Sequence, residues 1–501
     1  MSPNARAGGR EDLPPLLLLL AAAFVCRGGP AGLFGLGFYL DDWSLLCDAA
    51  FHEGASPFLD GLKTHASRPF SFLAWTVPYL LFGLKAPLWH ALMTALQWAA
   101  SFAAYRAFRG FGVGRGAALL GAALFLALPN KDATVYWPAV SLLNTSALLL
   151  WLGSWLAHAR YAAAGGTRWL VAAAVMLAAS LGFYEQGFFL LPVWLLAPGA
   201  DARRLKRSLL VCGAALLAFA AYKFVLLPRF LPYTKNVRAS PGHAVFVYYM
   251  AARAWLDPRW LRYLAGCVAE AAMRAPLLAA AALALPWAAW AATNRDADEP
   301  GEDGPRRLVL WGAAVWLLGY LPFCFSEYAP AAYDEMNRLN QLPALGAAAA
   351  LCGLASATAA RRAVLAGLAA FGLLAHVEFA EIWQESYRRQ LQVRRRVLEE
   401  LPRWPRDKGL VIRLPEDRVA RKAPVFIAKY DASGAIRLWT GDPRREAWPV
   451  VPQTRFEADA AMLYGERRAY ESLLLLDMTT GLLSPLSDAA ARRSLPPPGG
   501  G

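Results

Sequence analysis

The chain has 501 residues, 57% hydrophobic and 18% charged, with a mean hydropathy of +0.31, against the roughly 25% charged fraction of soluble domains. That composition excludes an ordinary soluble enzyme and points to an integral membrane protein. The net charge of +14, from 51 basic and 37 acidic residues, would suit nucleic acid in a soluble chain, but here much of the excess lies in loops between apolar runs, where it sets membrane orientation. Nucleic acid is therefore excluded as a partner.

In chain order, residues 1–13 form a basic cytoplasmic N-terminus, and residues 14–380 hold a run of apolar segments. The spacing predicts spans at 14–38, 87–105, 116–130, 138–157, 168–183, 185–198, 208–227, 262–291, 308–325, 339–357 and 363–380, each near the length needed to cross a bilayer. The first run contains Arg27 and no small-residue cleavage pattern follows it, so it reads as a retained helix and not as a signal peptide. Residues 69–84 read as a juxtamembrane helix, because only then do the loops carrying Arg106, Arg109 and Arg115, Arg160 and Arg168, "ARRLKR", and Arg361 and Arg362 share the side of the N-terminus.

That count collects the polar, aromatic-rich loops on the opposite, extracytoplasmic face. They are "YLDDW" with Asp41 and Asp42, "KTHASRP" with Arg68, "PNKDATVYWP" with Lys131 and Asp132, "FYEQG" with Tyr184 and Glu185, the loop 228–260 with Arg238, and "YDEMNR" with Glu335 and Arg338. Irregular polar chain at membrane depth is tolerated only where protein or a wet cavity satisfies it, so a site near this face is expected. A carboxylate there could take a proton from a hydroxyl nucleophile, and Arg68, Lys131, Arg238 or Arg338 could balance a lipid phosphate. Each also has a plainer use: the acids as solvated helix ends, Arg338 as a contact to ordinary phospholipid. In the same neighbourhood Asp334, Glu335 and Asn337 are expected to hold Arg338.

The six cysteines show no CxxC spacing and read as packing residues, and His65 and His90 have no partner histidine at ligand spacing. Residues 381–403 read as an amphipathic connecting helix, and 404–501 as a small mixed α/β extracytoplasmic domain with strand-like runs "LVIRL", "APVFIAKY" and "AIRLW".

The ordered set "YLDDW", "SRPFSF", "GLKAPLWHALMTALQ", "PNKDATVYW" and "YEQ" resembles the GT-C superfamily of polytopic membrane glycosyltransferases, especially bacterial relatives of protein O-mannosyltransferases. The resemblance covers residues 14–380 and rests on order and short motifs. It implies a GT-C-like bundle of about eleven transmembrane helices with outer juxtamembrane helices. It also implies inverting transfer of a sugar from a polyprenyl-phosphate carrier to an envelope acceptor, in a multi-pass protein of the bacterial inner membrane. The family's catalytic base maps to Asp41 or Asp42, and its acceptor-placing acid to Asp132. Glu185 joins this set, and Tyr184 and Glu335 the phosphate-binding one, by their place on the same face. Some members use a divalent cation, Mg or Mn, and others none; this chain has no "DxD" in its outer loops, which leaves metal use open. A secondary transporter or lipid flippase is the competing class, and it predicts ionisable groups inside spans and paired half-repeats.

Overall fold

The structure, a computed structural model, describes residues 12–52, 56–230, 240–293, 303–420, 422–457, 459–488 and 495. Arg238 lies outside them. The chain opens with α1 (Leu13–Cys26) and α2 (Gly29–Gly35), bent by 56° at Arg27 and Gly28. Three short helices follow: α3 (Asp41–Ala50), α4 (Pro57–Thr64) and α5 (Leu73–Phe82). With ten residues α5 is about 15 Å long, half the hydrocarbon thickness.

The bundle proper is built by α6 (Ala86–Gly110), α7 (Arg115–Ala127), the single turn α8 (Ala133–Tyr136), α9 (Pro138–Ala164) and α10 (Thr167–Phe183). A 3-10 segment, Glu185–Leu196, leads to α11 (Ala202–Ala221), a π-helical turn at Tyr222–Leu226 and α12 (Leu227–Phe230). Then come α13 (Pro241–Leu256), α14 (Pro258–Arg274), α15 (Pro276–Thr293), α16 (Asp303–Tyr320), α17 (Gln341–Ala355) and α18 (Ala359–Glu400). In α16 and α17, Gly312 and Gly346 bring the backbones so close that a Cβ on Gly312 would stand 2.5 Å from the Gly346 carbonyl oxygen. All six cysteines are buried free thiols.

The protein is a polytopic helical membrane protein, but the expected eleven spans are not eleven straight helices. Among the described residues four helices are long and apolar enough to cross, Pro138–Ala164, Ala202–Arg229, Asp303–Phe325 and Ala359–Arg403, and two bent pairs bring the number to six. Counting apolar runs overlooks where the chain turns. The run 262–291 is broken at Ala275, which precedes Pro276, and the flanking helical segments meet at 119°; the residue before proline is driven out of the helical region. Four further apolar runs are carried by helices of 10–17 residues. The helix α6 is long, but it brings His90, Thr94, Gln97 and Ser101 into the bundle as buried groups. The last apolar run and the amphipathic stretch from residue 381 lie on one helix, since α18 runs unbroken for 42 residues.

The tail is mixed α/β. A four-stranded sheet has the order β4-β1-β8-β9, with β1 (Gly409–Arg413) parallel to β4 (Ala447–Pro449) and to β8 (Leu473–Asp477), and β9 (Leu482–Pro485) antiparallel at the edge. β2 (Arg418–Val419) pairs with β3 (Ala423–Pro424), and β5 (Arg455–Phe456), β6 (Ala460–Leu463) and β7 (Glu466–Ala469) form a third small sheet. "AIRLW" is helical, within α19 (Lys429–Thr440), and "APVFIAKY" contributes two strand residues before that helix begins. Ala432, Ala435 and Ile436 recur at the helical period and are fully buried. Asp431 holds the first turn by accepting from the N–H groups of Ile427, Ala428 and Ala432. Gly434 lets α19 lie against the backbone of α3, where a Cβ would stand 2.6 Å from the Trp43 carbonyl carbon.

A Gly434→Val substitution is expected to lift α19 off α3 at a cost of about 1–3 kcal/mol. Faster proteolytic cleavage in the exposed stretch 405–407 and a lower melting temperature in micelles would show it; unchanged cleavage would mean that the tail is held elsewhere.

Candidate active site at the acid-bearing end of the bundle

Alternating helix direction sorts the polar groups into two ends. Where α6 and α9 finish and α7 and α10 begin lie Arg106, Arg109, Arg115, Arg160 and Trp169, which line one cavity. At the other end, α7 leads into Asp132, α9 starts at Pro138 and α10 stops before Tyr184.

Asp41 and Asp42 sit at the start of α3, after Leu40, a buried residue with φ of +49°. Such a conformation costs on the order of 1–3 kcal/mol in a residue with a side chain. It turns the chain so that the two carboxylates diverge. Asp42 is 2% exposed and accepts from the Tyr39 N–H at 2.8 Å and the Ala139 N–H at 2.6 Å, tying α3 to the first turn of α9. Burial pushes its pKa well above the usual carboxylate range, against the pull of those two donors. Asp41 is half-buried and faces the tail, where the Tyr430 hydroxyl donates to it. Asp42 is thus a latch, and Asp41 is the more exposed member of the pair.

Asp132 is fully buried. Its Oδ1 meets the Lys422 Nζ at 2.8 Å and accepts from the Asn337 amide, and its Oδ2 accepts from the Trp383 indole at 2.9 Å. The sequence expectation of an acid facing acceptor is corrected here: both oxygens are committed, and Asp132 joins the bundle, α18 and the tail. Asn337 completes the tie by accepting from the Ala133 N–H at 3.0 Å. Lys131 is also buried, 2% exposed, donating to the Leu126 carbonyl beside the Phe125 ring, which removes it from the expected phosphate-facing set.

A second cluster surrounds Tyr184. Arg68 forks onto Glu185 at 2.7 and 3.1 Å, the Lys223 Nζ meets the same carboxylate at 2.6 Å, and the Arg68 guanidinium lies 4.5 Å from the Tyr184 ring centre. Arg338 is held by the faces of Trp137 and Tyr328, at 5.2 and 5.7 Å. The expectation that Asp334, Glu335 and Asn337 hold Arg338 is corrected: Glu335 takes the Arg418 fork of the tail at 2.8 and 3.3 Å, Asn337 serves Asp132, and Asp334 caps the Met336 N–H. Against the burial that would raise it, Arg418 keeps Glu335 below its usual pKa, whereas burial and then Glu335 lift Asp334 to about 6.

Arg68, Lys223 and Arg338 thus gather around Tyr184, the first two on Glu185, and cations of this kind hold phosphate groups in other proteins. Trp137 links this cluster to the aspartates: its ring carries Arg338, and two residues later the Ala139 N–H binds Asp42. Beside α3 a cavity of about 460 Å³ is lined by Asp48, His52, Lys63, His65, Trp75 and Arg437. Burial, then Arg68, brings the His65 pKa down to about 4, so it is neutral at pH 7.

Sequence reasoning missed Lys223, Lys422, Arg418 and Tyr430. Lys223 had a signal: an ionisable residue inside the apolar run "AFAAYKFVLLP" is a functional candidate by default. The tail residues had none.

No protein-family model matches the chain, and no curated protein does. Among solved structures, the crystal structure of ArnT from Cupriavidus metallidurans bound to undecaprenyl phosphate is similar over 89% of this chain and 87% of that one, at 14% identity and a TM-score of 0.43. The described residues bring together no group of three or more His, Cys, Asp or Glu. Asp132, Glu185 and Glu335 are each already matched to a cation, so these residues do not fit a divalent metal.

Lys422→Met is expected to cost about 3–5 kcal/mol, because it leaves the Asp132 carboxylate buried without its counter-charge. Lys422→Met with Asp132→Leu should recover much of that in thermal melts; a single variant as stable as wild type would show that the pair is not closed in solution. Asp334 tests the electrostatics separately. Its raised pKa means that the fold prefers the protonated acid, so its stabilising contribution is present at low pH and lost as pH rises through about 6. Asp334→Asn keeps an oxygen to cap the Met336 N–H in the same backbone conformation, φ +63° and ψ −170°, and removes only the charge. The variant should therefore melt higher than wild type at about pH 8 and equally only at about pH 3, below the acid's ordinary pKa.

Proposed function

We propose that the protein is an inverting membrane glycosyltransferase of GT-C type, which moves a sugar from a polyprenyl-phosphate carrier to an acceptor hydroxyl on the extracytoplasmic side of a bacterial inner membrane. The arrangement that carries this reading is a half-buried carboxylate, Asp41, on one side of the first turn of α9 and a cation cluster of Arg68, Lys223 and Arg338 on the other: Ala139 of that turn binds the neighbouring Asp42, and Trp137 before it carries Arg338. The sequence resemblance in "YLDDW" and the later motifs supports it independently.

In this mechanism Asp41 accepts the acceptor's proton as its oxygen attacks the anomeric carbon. The bond from that carbon to the carrier phosphate breaks on the opposite face, so configuration inverts. The electron pair leaves with the phosphate, whose charge is balanced by Arg338, Arg68 and Lys223. A phosphate leaves readily as an anion, so no proton donor is required on that side. Asp42 and Asp132 are positioning residues, and no step uses a metal. The two bent helix pairs are the feature a transporter would share, and consumption of donor separates the two readings.

The test is turnover of the purified full chain, in lipid nanodiscs, with labelled polyprenyl-phosphate sugars and envelope extract. Asp41→Asn should lower kcat by about 100-fold or more while leaving thermal stability nearly unchanged. Arg338→Ala should weaken turnover through the donor. Wild-type turnover in Asp41→Asn would remove the proposed base, and transport of intact donor without its consumption would favour the competing class.

A further inference from the structure

The tail reaches Asp41 through one pair of helices. Gly434 of α19 lies against the Trp43 carbonyl and the Ser44 N–H of α3, where an added Cβ would stand 2.6 and 2.8 Å from their atoms. Further along both helices Arg437 lines the same cavity as Cys47 and Asp48, and before them the Tyr430 hydroxyl donates to Asp41. The contacts advance together, so α3 and α19 run in the same direction with their first turns side by side. Tyr430 is pinned through both of its neighbours. Lys429 pairs with Glu446 at 3.2 Å and with Glu466 at 2.7 Å, and Asp431 accepts from the N–H groups of Ile427, Ala428 and Ala432. Tyr430 is itself 49% exposed, so little of what it contributes is packing.

We infer that Tyr430 is a positioning residue for the base, its hydroxyl holding the Asp41 carboxylate in one orientation and in its charged form. This rests on the reading of Asp41 as the base of a glycosyl transfer. A hydroxyl that donates to a carboxylate favours the ionised acid over the neutral one. The acids nearby act the other way: Asp42 on α3 and Asp431 on α19 both lie close enough to act on Asp41, and Glu335 acts on Tyr430. A base must be ionised and aligned before it can take a proton. Without the phenol, the acceptor meets a carboxylate that turns more freely about its Cβ–Cγ bond and that protonates at higher pH. One helix of the tail thus completes a site whose other parts belong to the bundle.

The test is the pH dependence of turnover by the purified full chain in lipid nanodiscs, with labelled polyprenyl-phosphate sugars and envelope extract, for wild type, Tyr430→Phe and Tyr464→Phe. Tyr430→Phe removes one oxygen from a half-exposed ring and should melt as wild type does. It should raise the acidic limb of kcat/KM by about one pH unit and lower kcat above that limb by about tenfold, with KM for the donor unchanged. Tyr464→Phe removes a tail hydroxyl that donates to the Ile427 carbonyl instead, and should leave the limb where it is. Infrared titration of the carboxylate stretch, taken as the difference made by Asp41→Asn in each background, reads the same shift without turnover. An unmoved limb or an unmoved infrared titration in Tyr430→Phe, beside an inactive Asp41→Asn, would overturn the inference and leave the base in place. An equal shift in Tyr464→Phe would overturn it as well. Turnover that survives in Asp41→Asn would remove the base, and the role of Tyr430 with it.

Discussion

The acid-bearing end of the molecule depends on one buried ion pair. Asp132 and Lys422 are 0% and 1% exposed, 2.8 Å apart. Taking two charges out of water costs several kcal/mol per ion, and their attraction offsets that only where the remaining hydrogen bonds are also made. On the carboxylate side they are, through Asn337 and Trp383; the Lys422 ammonium has the ion pair and two aromatic faces instead of further hydrogen bonds, 4.0 Å from the Phe379 ring centre and 5.1 Å from that of Trp260. The contact joins five stretches of chain far apart in sequence. The positions of Arg418 on Glu335 and of Tyr430 on Asp41 follow from it, because both lie within a few residues of Lys422 or on the helix just after it. The tail is therefore part of the site's wall and not an appendage.

The two aspartates of "YLDDW" show how an identical pair of side chains is divided by backbone geometry. Adjacent residues at a helix start project in different directions, and the conformation of Leu40 decides which meets α9 and which meets solvent and Tyr430. Burial then separates their chemistry. Asp42 is satisfied by two peptide N–H groups and is fixed, whereas Asp41 is only half-buried and takes a hydrogen bond from Tyr430 of the tail.

Much of this was legible in the sequence because hydropathy and charge report on solvent exposure. The apolar runs gave the helical bundle, the arginine loops gave one end, and "YLDDW", "FYEQG" and "YDEMNR" gave the other. What could not be read depends on distance in three dimensions. Nothing near Asp132 announces a lysine in the tail, and nothing in "AIRLW" announces a helix until α3 supplies the surface that covers Ala432, Ala435 and Ile436. The broken helices were half legible: Gly28 and Pro276 mark the turns, but a hydropathy window averages over them. Lys223 was hidden by the same averaging, since one lysine scarcely changes the mean of a run so apolar.

The helix α18 runs for 42 residues without a break, about 60 Å at 1.5 Å per residue. It begins in the bundle and hands over to the tail only at Leu401–Arg403, and on the way Ser386 and Gln390 donate to the Pro424 and Val425 carbonyls of the tail. A helix without a break carries a change of orientation at one end to the other. Tilt of a membrane helix is coupled to bilayer thickness through hydrophobic mismatch. The stretch of α18 that touches the tail therefore shares one axis with the stretch that packs in the bundle.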